Sequence, residues 1–473
     1  MSKGILSPRQ KTPDPFFRRW GHLKLWLSRR LSPERLFILS FAGVILAGGL
    51  LLWLPFSAAG TRLPWIDALF QSASAVCVTG LATIDVGQRL SPGGQIVLIC
   101  LFQVGGLGIL TFSAVFFAML GHGLASKERD IMQSVFLHSP RRDLAPVLKF
   151  VFLSTFLYEG VGTLLLWARF ALDFPWSEAL FKAVFHAVSA FNNAGFSLFS
   201  DNMMSYQGDW IVNLTMMVLI VSGGIGFIVH YELHMRFFGK QRRLSVHTKV
   251  VLVATGVLII GGAALFFVFE NYRILQGLPW PNRILASLFQ AITPRTAGFN
   301  TVDIGLLANE TILLMIALMF IGASPGSTGG GVKTTSASLL FLIMWSRLRG
   351  REDVNICSRT IPRELLQRAI SIILAATLSI CFIIAVLMLS ADDGGRATES
   401  RQLFVEYIFE TVSAFATVGL SMNTTPSLNT PQKTAIILMM FAGRVGPLTL
   451  AFSLARMTTK KSFTYAEEGV MVG

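Results

Sequence analysis

The sequence predicts an all-α, polytopic membrane protein of eight transmembrane helices. It is built as four like-oriented copies of one unit: helix, re-entrant segment, helix. Three observations predict this. The composition is too apolar for a water-facing surface, eight long apolar runs recur, and one short motif appears four times at similar intervals. Of the 473 residues, 53% are hydrophobic and 14% charged, with a mean hydropathy of +0.60. Soluble domains carry about 25% charged residues, so a string of soluble domains is excluded, and so is intrinsic disorder. The four cysteines, Cys77, Cys100, Cys357 and Cys381, form no CxxC pair, which argues against a disulfide framework or a zinc site. The first 35 residues are polar and basic and lack the apolar core and cleavage site of a secretory signal.

A bilayer-spanning helix needs about 20 mostly apolar residues. Such runs lie near 36–58, 93–120, 146–168, 210–235, 250–269, 311–345, 369–391 and 433–455. Between the members of each successive pair sits a shorter, semi-apolar stretch, near 64–78, 177–192, 281–294 and 402–415. These are too short to span and read as re-entrant pieces. Residues 1–35, 121–149, 236–249, 346–368 and 456–473 hold 28 of the 40 Lys and Arg. Lys333 and Arg444 lie inside apolar runs, and the other ten bases fall on the opposite side or near its interface. The positive-inside rule therefore places both termini in the cytoplasm. The net charge of +14 is a matter of topology, not a sign of nucleic-acid binding. The organisation is a basic tail over 1–35, repeats over 36–120, 145–238, 248–346 and 364–456, and a tail over 457–473.

The recurring motif reads LFQSASAVCVTGL (69–81), VFHAVSAFNNAGF (184–196), LFQAITPRTAGF (288–299) and IFETVSAFATVGL (408–420). Phe-to-Gly spacing is 10, 10, 9 and 10, and the glycines, Gly80, Gly195, Gly298 and Gly419, are separated by 115, 103 and 121 residues. Two spans per copy keep all copies in one orientation, as rotation about a membrane-normal axis requires. Irregular backbone at membrane depth must line a cavity or be buried in protein. Four such turns around one axis would aim backbone carbonyls into a pore, where they can replace the hydration shell of a cation. Glycine admits the positive φ this needs, and each preceding helix would point its negative C-terminal end at the ion.

With these residues the chain resembles the Trk/Ktr/HKT superfamily of potassium transporters. The resemblance extends over almost the whole chain. It includes the Gly-rich break GASPGSTGGGVKTTS (322–336) and GRVGPLTL (443–450). The short N-terminal segment and the ending Tyr465–Gly473 resemble the Ktr branch, pointing to a KtrB-like membrane subunit. The resemblance implies four M1–P–M2 repeats around one pore and a potassium filter. The filter would be made by Val78, Thr79 and Gly80; Asn193, Ala194 and Gly195; Thr296, Ala297 and Gly298; and Thr417, Val418 and Gly419. Potassium would be bound at these residues only. Glycine at all four positions implies potassium preference, whereas serine at the first marks many sodium-preferring relatives. The resemblance further implies a homodimer in the cell membrane and a separate cytoplasmic ring of RCK-type, KtrA-like regulatory subunits. Nucleotide would bind that ring and not this chain. Sodium as an activator is left open.

The sixth span is interrupted by GASPGSTGGG (322–331), where Gly and Pro break the helix and free backbone groups. The resemblance makes this an intramembrane gate, with Gly322, Gly326, Gly329, Gly330, Gly331 and Lys333, opposed by Arg444 as a cation barrier. A charge at the centre of a span costs about 2.5–3.5 kcal/mol on the lenient scale, so Arg444 should face the pore or a partner. Glu159 is expected to act through hydrogen bonds or a salt bridge rather than proton coupling. Gly326–Thr334 nearly matches a phosphate loop, but Val332 spoils the spacing and no strand precedes it. His230, Glu232 and His234 place two histidines at i and i+4 without the H-E-x-x-H order, a weak metal motif. Glycine clusters at 105–108, 223–226 and 443–446 are open to two explanations, close packing or flexibility. An alternating-access cation carrier, Trk-like or sodium-coupled, is the alternative, although carriers often use inverted repeats. A membrane enzyme is not expected, since the spans offer no coherent cofactor ligands.

Overall fold

The computed structural model describes residues 33–108, 145–239, 243–391 and 397–446. The first unit contains α1 (Pro33–Trp53), α2 (Trp65–Val76) and α3 (Pro92–Leu107). The second contains α4 (Ala145–Phe170), α5 (Trp176–Asn192), α6 (Trp210–Gly224) and α7 (Phe227–Phe237). The third contains α8 (Val246–Glu270), α9 (Trp280–Ile292), α10 (Asn309–Phe320) and α11 (Thr334–Leu348). A small hairpin of β1 (Asn355–Ile356) and β2 (Arg359–Thr360) leads to α12 (Arg363–Leu389), α13 (Ala397–Ala416) and α14 (Thr430–Val445).

The same local rule starts the short helix in the first three units. A proline, Pro64, Pro175 or Pro279, precedes the short helices α2, α5 and α9, with φ of −57°, −55° and −55°. Proline fixes that φ and, lacking an N–H, suits a helix start. A tryptophan follows each proline and meets an aromatic ring near the end of the preceding long helix: Trp53 with Trp65, Trp167 with Trp176, Phe267 with Trp280. Each pair ties a long helix to the short one that folds back.

Burial is inside-out relative to a soluble protein. Long helices expose Leu153, Phe156, Val257, Ile260, Leu374 and Phe382 outward, while Gln71, His186, Gln290 and Glu410 on the short helices are fully buried. Within the first, second and fourth units the short helix packs on the helices either side of it, and in the third α9 and α10 both pack on α8. Between units, α3 packs on α5, α6 on α9, α10 on α13, and α14 returns to α2. The chain thus closes a cycle.

Three helices are long and apolar enough to cross a membrane: Lys149–Phe170, Val246–Glu270 and Arg363–Leu389. The pair α6–α7 makes a fourth if its 100° bend is counted as one span. The second, fourth and eighth apolar runs depart from the continuous helices expected, and the sixth carries the expected break. The fourth bends, the sixth is broken between α10 and α11, and the described parts of the second and eighth end at Leu107 and Val445. Gly108, Gly226 and Gly446 mark these ends with φ of 75°, 94° and 93°. That conformation is cheap only for glycine, so hydropathy counts the run as one span while the backbone turns. Residues 1–32, 109–144 and 447–473, with the predicted tails and the ends of these spans, lie outside the described residues.

Candidate functional site

Each short helix ends in a turn built the same way. At the ends of α2, α5, α9 and α13 one hydroxyl residue holds the turn: Ser74, Ser189, Thr293 and Ser413. Its carbonyl accepts the N–H of the residue before the glycine, Thr79, Ala194, Ala297 and Val418, at 2.7, 2.7, 2.9 and 2.8 Å. Its hydroxyl bonds at or just beyond the glycine. Ser74 and Ser413 accept from Gly80 N and Gly419 N at 3.0 and 3.1 Å. Ser189 and Thr293 donate to the Phe196 and Phe299 carbonyls at 2.9 and 2.5 Å.

The backbone of each turn alternates. Two residues before the glycine, Val78, Asn193, Thr296 and Thr417 have φ of 56°, 59°, 74° and 51°. The glycines follow with φ of 92°, 71°, 77° and 93°. A non-glycine residue there costs on the order of 1–3 kcal/mol and persists only where its surroundings enforce it. For β-branched Val78 and the two threonines it is a marked exception.

The four turns meet. A Cβ added to Gly80 would lie 2.6 Å from the Ala194 carbonyl oxygen, and one on Gly195 would lie 3.0 Å from that of Ala297. One on Gly298 would strike the Val418 oxygen, and one on Gly419 the Thr79 oxygen. Each glycine therefore abuts the carbonyl just before the next unit's glycine, and the fourth returns to the first. Such a ring of partial negative charges, with four helix C-termini behind it, can hold a dehydrated monovalent cation.

The glycine-rich segment lies against the inner ends of these turns. Its neck is closed by a bridge between Ile321 and Val332 and by Ser324 Oγ to Thr334 Oγ1 at 2.9 Å. A Cβ on Gly329 would meet the Thr296 side chain, one on Gly330 that of Thr417, and one on Gly331 the Ala416 backbone at 3.1 Å. On another side the segment is tied to the bent pair: Ser324 N to Gly224 O at 3.0 Å, Thr328 N to Gly223 O at 3.2 Å, and Phe227 N to Gly326 O at 2.9 Å. The Arg444 guanidinium donates to the carbonyls of Thr328 and Gly105. It thereby joins α14, the segment and α3. The Lys333 ammonium donates to Gly329 O at 2.7 Å. Helix α10, not a strand, precedes the near-match to a phosphate loop.

The glycine clusters do two jobs. A Cβ on Gly105, Gly223 or Gly443 would strike the carbonyl of Val76, Phe191 or Phe415, near the end of its own unit's short helix. The last glycine of each cluster, Gly108, Gly226 or Gly446, turns the chain.

Glu159, on α4, has named partners. Its carboxylate accepts from Asn192 Nδ2 at 3.0 Å and Gln103 Nε2 at 3.3 Å, so it meets the end of α5 through hydrogen bonds. His230, Glu232 and His234 are not brought together on a metal. His230 Nε2 meets the Ser222 carbonyl at 2.6 Å, Glu232 accepts from Ser245 N and Thr248 Oγ1, and His234 packs on Phe150 and Phe238. Among the described residues no group of three or more His, Cys, Asp or Glu is placed to hold a metal.

Sequence reasoning missed three features. The hydroxyl column Ser74, Ser189, Thr293, Ser413 was visible once the copies were aligned. So was the Pro-Trp start of three short helices. The third is Arg295, counted among bases on the outer side or near its interface. It is buried at the end of the third short helix, donating to Thr255 Oγ1 at 3.1 Å.

The family described as TrkH, cation transport protein, matches residues 38–465. The chain is 39% identical over 451 residues to "Ktr system potassium uptake protein B" of Bacillus subtilis, covering 94% of this chain and 97% of that protein. It is 34% identical over 456 residues to "Potassium/sodium uptake protein NtpJ" of Enterococcus hirae, covering 95% and 99%. Its fold is similar to the crystal structure of the potassium transporter TrkH from Vibrio parahaemolyticus, with a TM-score of 0.69 at 19% identity, covering 93% of this chain and 90% of that one.

Proposed function

The chain belongs to the TrkH cation transport family, and on that premise we propose that it carries potassium ions across the cell membrane as the pore-forming, channel-like subunit of a Ktr-type uptake system. One observation carries the reading: the cyclic abutment of Gly80 on Ala194, Gly195 on Ala297, Gly298 on Val418 and Gly419 on Thr79. Four M1–P–M2 repeats enclose one pore, and the carbonyls of the four turns form its filter. A potassium ion sheds its water there because four carbonyls and four helix ends replace the hydration shell. Glycine at all four positions keeps the ring free of side chains.

The segment from Gly322 to Gly331 is the gate, closed beneath the filter. Arg444 and Lys333 place positive charge where the ion must leave. Opening requires the segment to give up its bonds to Gly223, Gly224 and Arg444. The high identity to Ktr-system proteins supports a partnership with a cytoplasmic regulatory ring of RCK type, where nucleotide would bind. Two copies of this chain form a homodimer, and both termini face the cytoplasm. Similarity to a potassium/sodium uptake protein supports sodium as a second ion, either activator or substrate.

The test is potassium uptake into cells lacking their own uptake systems, at limiting external potassium. Wild type should restore uptake, and Gly80→Ser should restore uptake of lower potassium selectivity. If neither variant restores uptake with a regulatory ring co-expressed and the protein in the membrane, the proposal fails. The alternative is then a cation carrier of different ion preference.

A further inference from the structure

One position behind the four turns differs in chemistry from unit to unit. The residue after the motif phenylalanine is Gln71, His186, Gln290 and Glu410. All four are fully buried. In three units this side chain grips the chain where it leaves the turn. His186 Nε2 meets Ser197 Oγ at 2.9 Å, Gln290 Nε2 donates to Thr301 Oγ1 at 3.3 Å, and the Glu410 carboxylate accepts from Thr425 Oγ1. The position is thus a strut, and amide, imidazole and carboxyl all serve it.

Only the fourth unit's strut can carry a negative charge. The second Glu410 carboxylate oxygen is buried and has no hydrogen-bond partner. Among the described ion pairs no Lys or Arg meets Glu410. One turn earlier on α13, Glu406 accepts from Thr424 Oγ1 at 3.1 Å, which adds negative charge to the same wall. An unpaired carboxylate in a protein interior is costly unless a cation offsets it. The turn that this helix ends in contributes the Val418 carbonyl to the ring, so a cation held there lies on the far side of the same turn.

We propose that Glu410 is a specificity-determining positioning residue: held by Thr425 behind the fourth turn, its carboxylate raises the ring's affinity for potassium from one side. This rests on the reading of the turns as a filter. The strut fixes the geometry, and the charge fixes the affinity.

The two roles separate in Glu410→Gln, because glutamine already serves as the strut in the third unit, where Gln290 bonds to Thr301. Potassium uptake is measured against external concentration, with membrane abundance checked. The expected result is a KM for potassium raised about three- to tenfold, the scale of one charge acting at close range through protein, at nearly unchanged maximal rate. Moving the charge, with Gln290→Glu added to Glu410→Gln, should recover part of the loss. Gln290→Glu alone should lower KM, a readout independent of whether Glu410→Gln reaches the membrane. Unchanged KM in Glu410→Gln, or a fall in maximal rate alone, would leave only a structural strut and overturn the proposal. If Gly80→Ser shifts selectivity while Glu410→Gln is silent, this inference falls and the filter reading stands. If both are silent, the filter reading itself falls.

Discussion

At the scale of single residues, Arg444 is a cation whose two recorded partners are both backbone carbonyls. It bridges Thr328 O and Gly105 O, and no carboxylate among the described ion pairs neutralises it. A guanidinium can reach two carbonyls at once because its donors form a rigid fork, whereas an ammonium is a point charge on a flexible stem. Two effects follow from its removal. The positive field beside the turns weakens, and the glycine-rich segment loses a tie to α3 and α14. Arg444→Ala should therefore raise potassium uptake severalfold and leave the preference for potassium over sodium unchanged, since the four turns are untouched. Arg444→Lys keeps the charge and loses the bridge, so it should fall between the two. Tracer uptake of potassium and sodium measures both quantities. A folded Arg444→Ala protein with wild-type flux would remove the barrier role.

At the scale of elements, the glycine clusters show how one residue type does two jobs a few positions apart. Gly223 lies against the Phe191 carbonyl with no room for a Cβ, whereas a Cβ on Gly224 would meet only Asn193 Nδ2 at 3.4 Å, an ordinary contact. Gly223→Ala should cost about 1–3 kcal/mol by overpacking. Gly224→Ala should be neutral or slightly stabilising, because alanine is the better helix former. Thermal unfolding of the two variants in detergent checks this, and equal midpoints would contradict the packing argument. The sequence made the glycines of the four turns legible because they recur nine or ten residues after a phenylalanine in each copy. It made the sixth-span break legible because Gly and Pro cluster there. It did not show that α6 and α7 meet at a bend of 100°, because hydropathy sums over residues and is blind to a positive φ at one glycine. Nor did it show the left-handed backbone of Val78, Asn193, Thr296 and Thr417. Valine and threonine do not favour that conformation, although asparagine tolerates it, and the hydroxyl residues and the neighbouring turns impose it. Glu159 was recognisable as a hydrogen-bonding carboxylate, but its partners Gln103 and Asn192 come from two other helices, which local sequence cannot bring together.

At the scale of the whole molecule, the cycle of units must be closed by contacts between the first and the last. One of these is an ion pair, Lys433 Nζ to Asp67 Oδ1 at 2.7 Å, joining α14 to α2 across 366 positions of sequence. The side chains are only 13% and 12% exposed. A pair so sheltered adds little beyond an apolar substitute of both partners, but breaking it strands a charge, at about 3–5 kcal/mol. Lys433→Met should therefore lower the unfolding midpoint in detergent markedly. The double variant Asp67→Leu with Lys433→Met should recover most of the loss. Arg273 and Glu310 supply the control, since their pair is 3.8 Å apart with side chains 56% and 58% exposed. Arg273→Met should cost less than about 1 kcal/mol. If Lys433→Met proved as mild as Arg273→Met, the pair would not hold the ring closed. The seam would then rest on the apolar packing of α14 against α2 alone. If the expected order holds, uptake should fall with stability in Lys433→Met and return in the double variant, because the fourth turn can meet the first only while the cycle is shut.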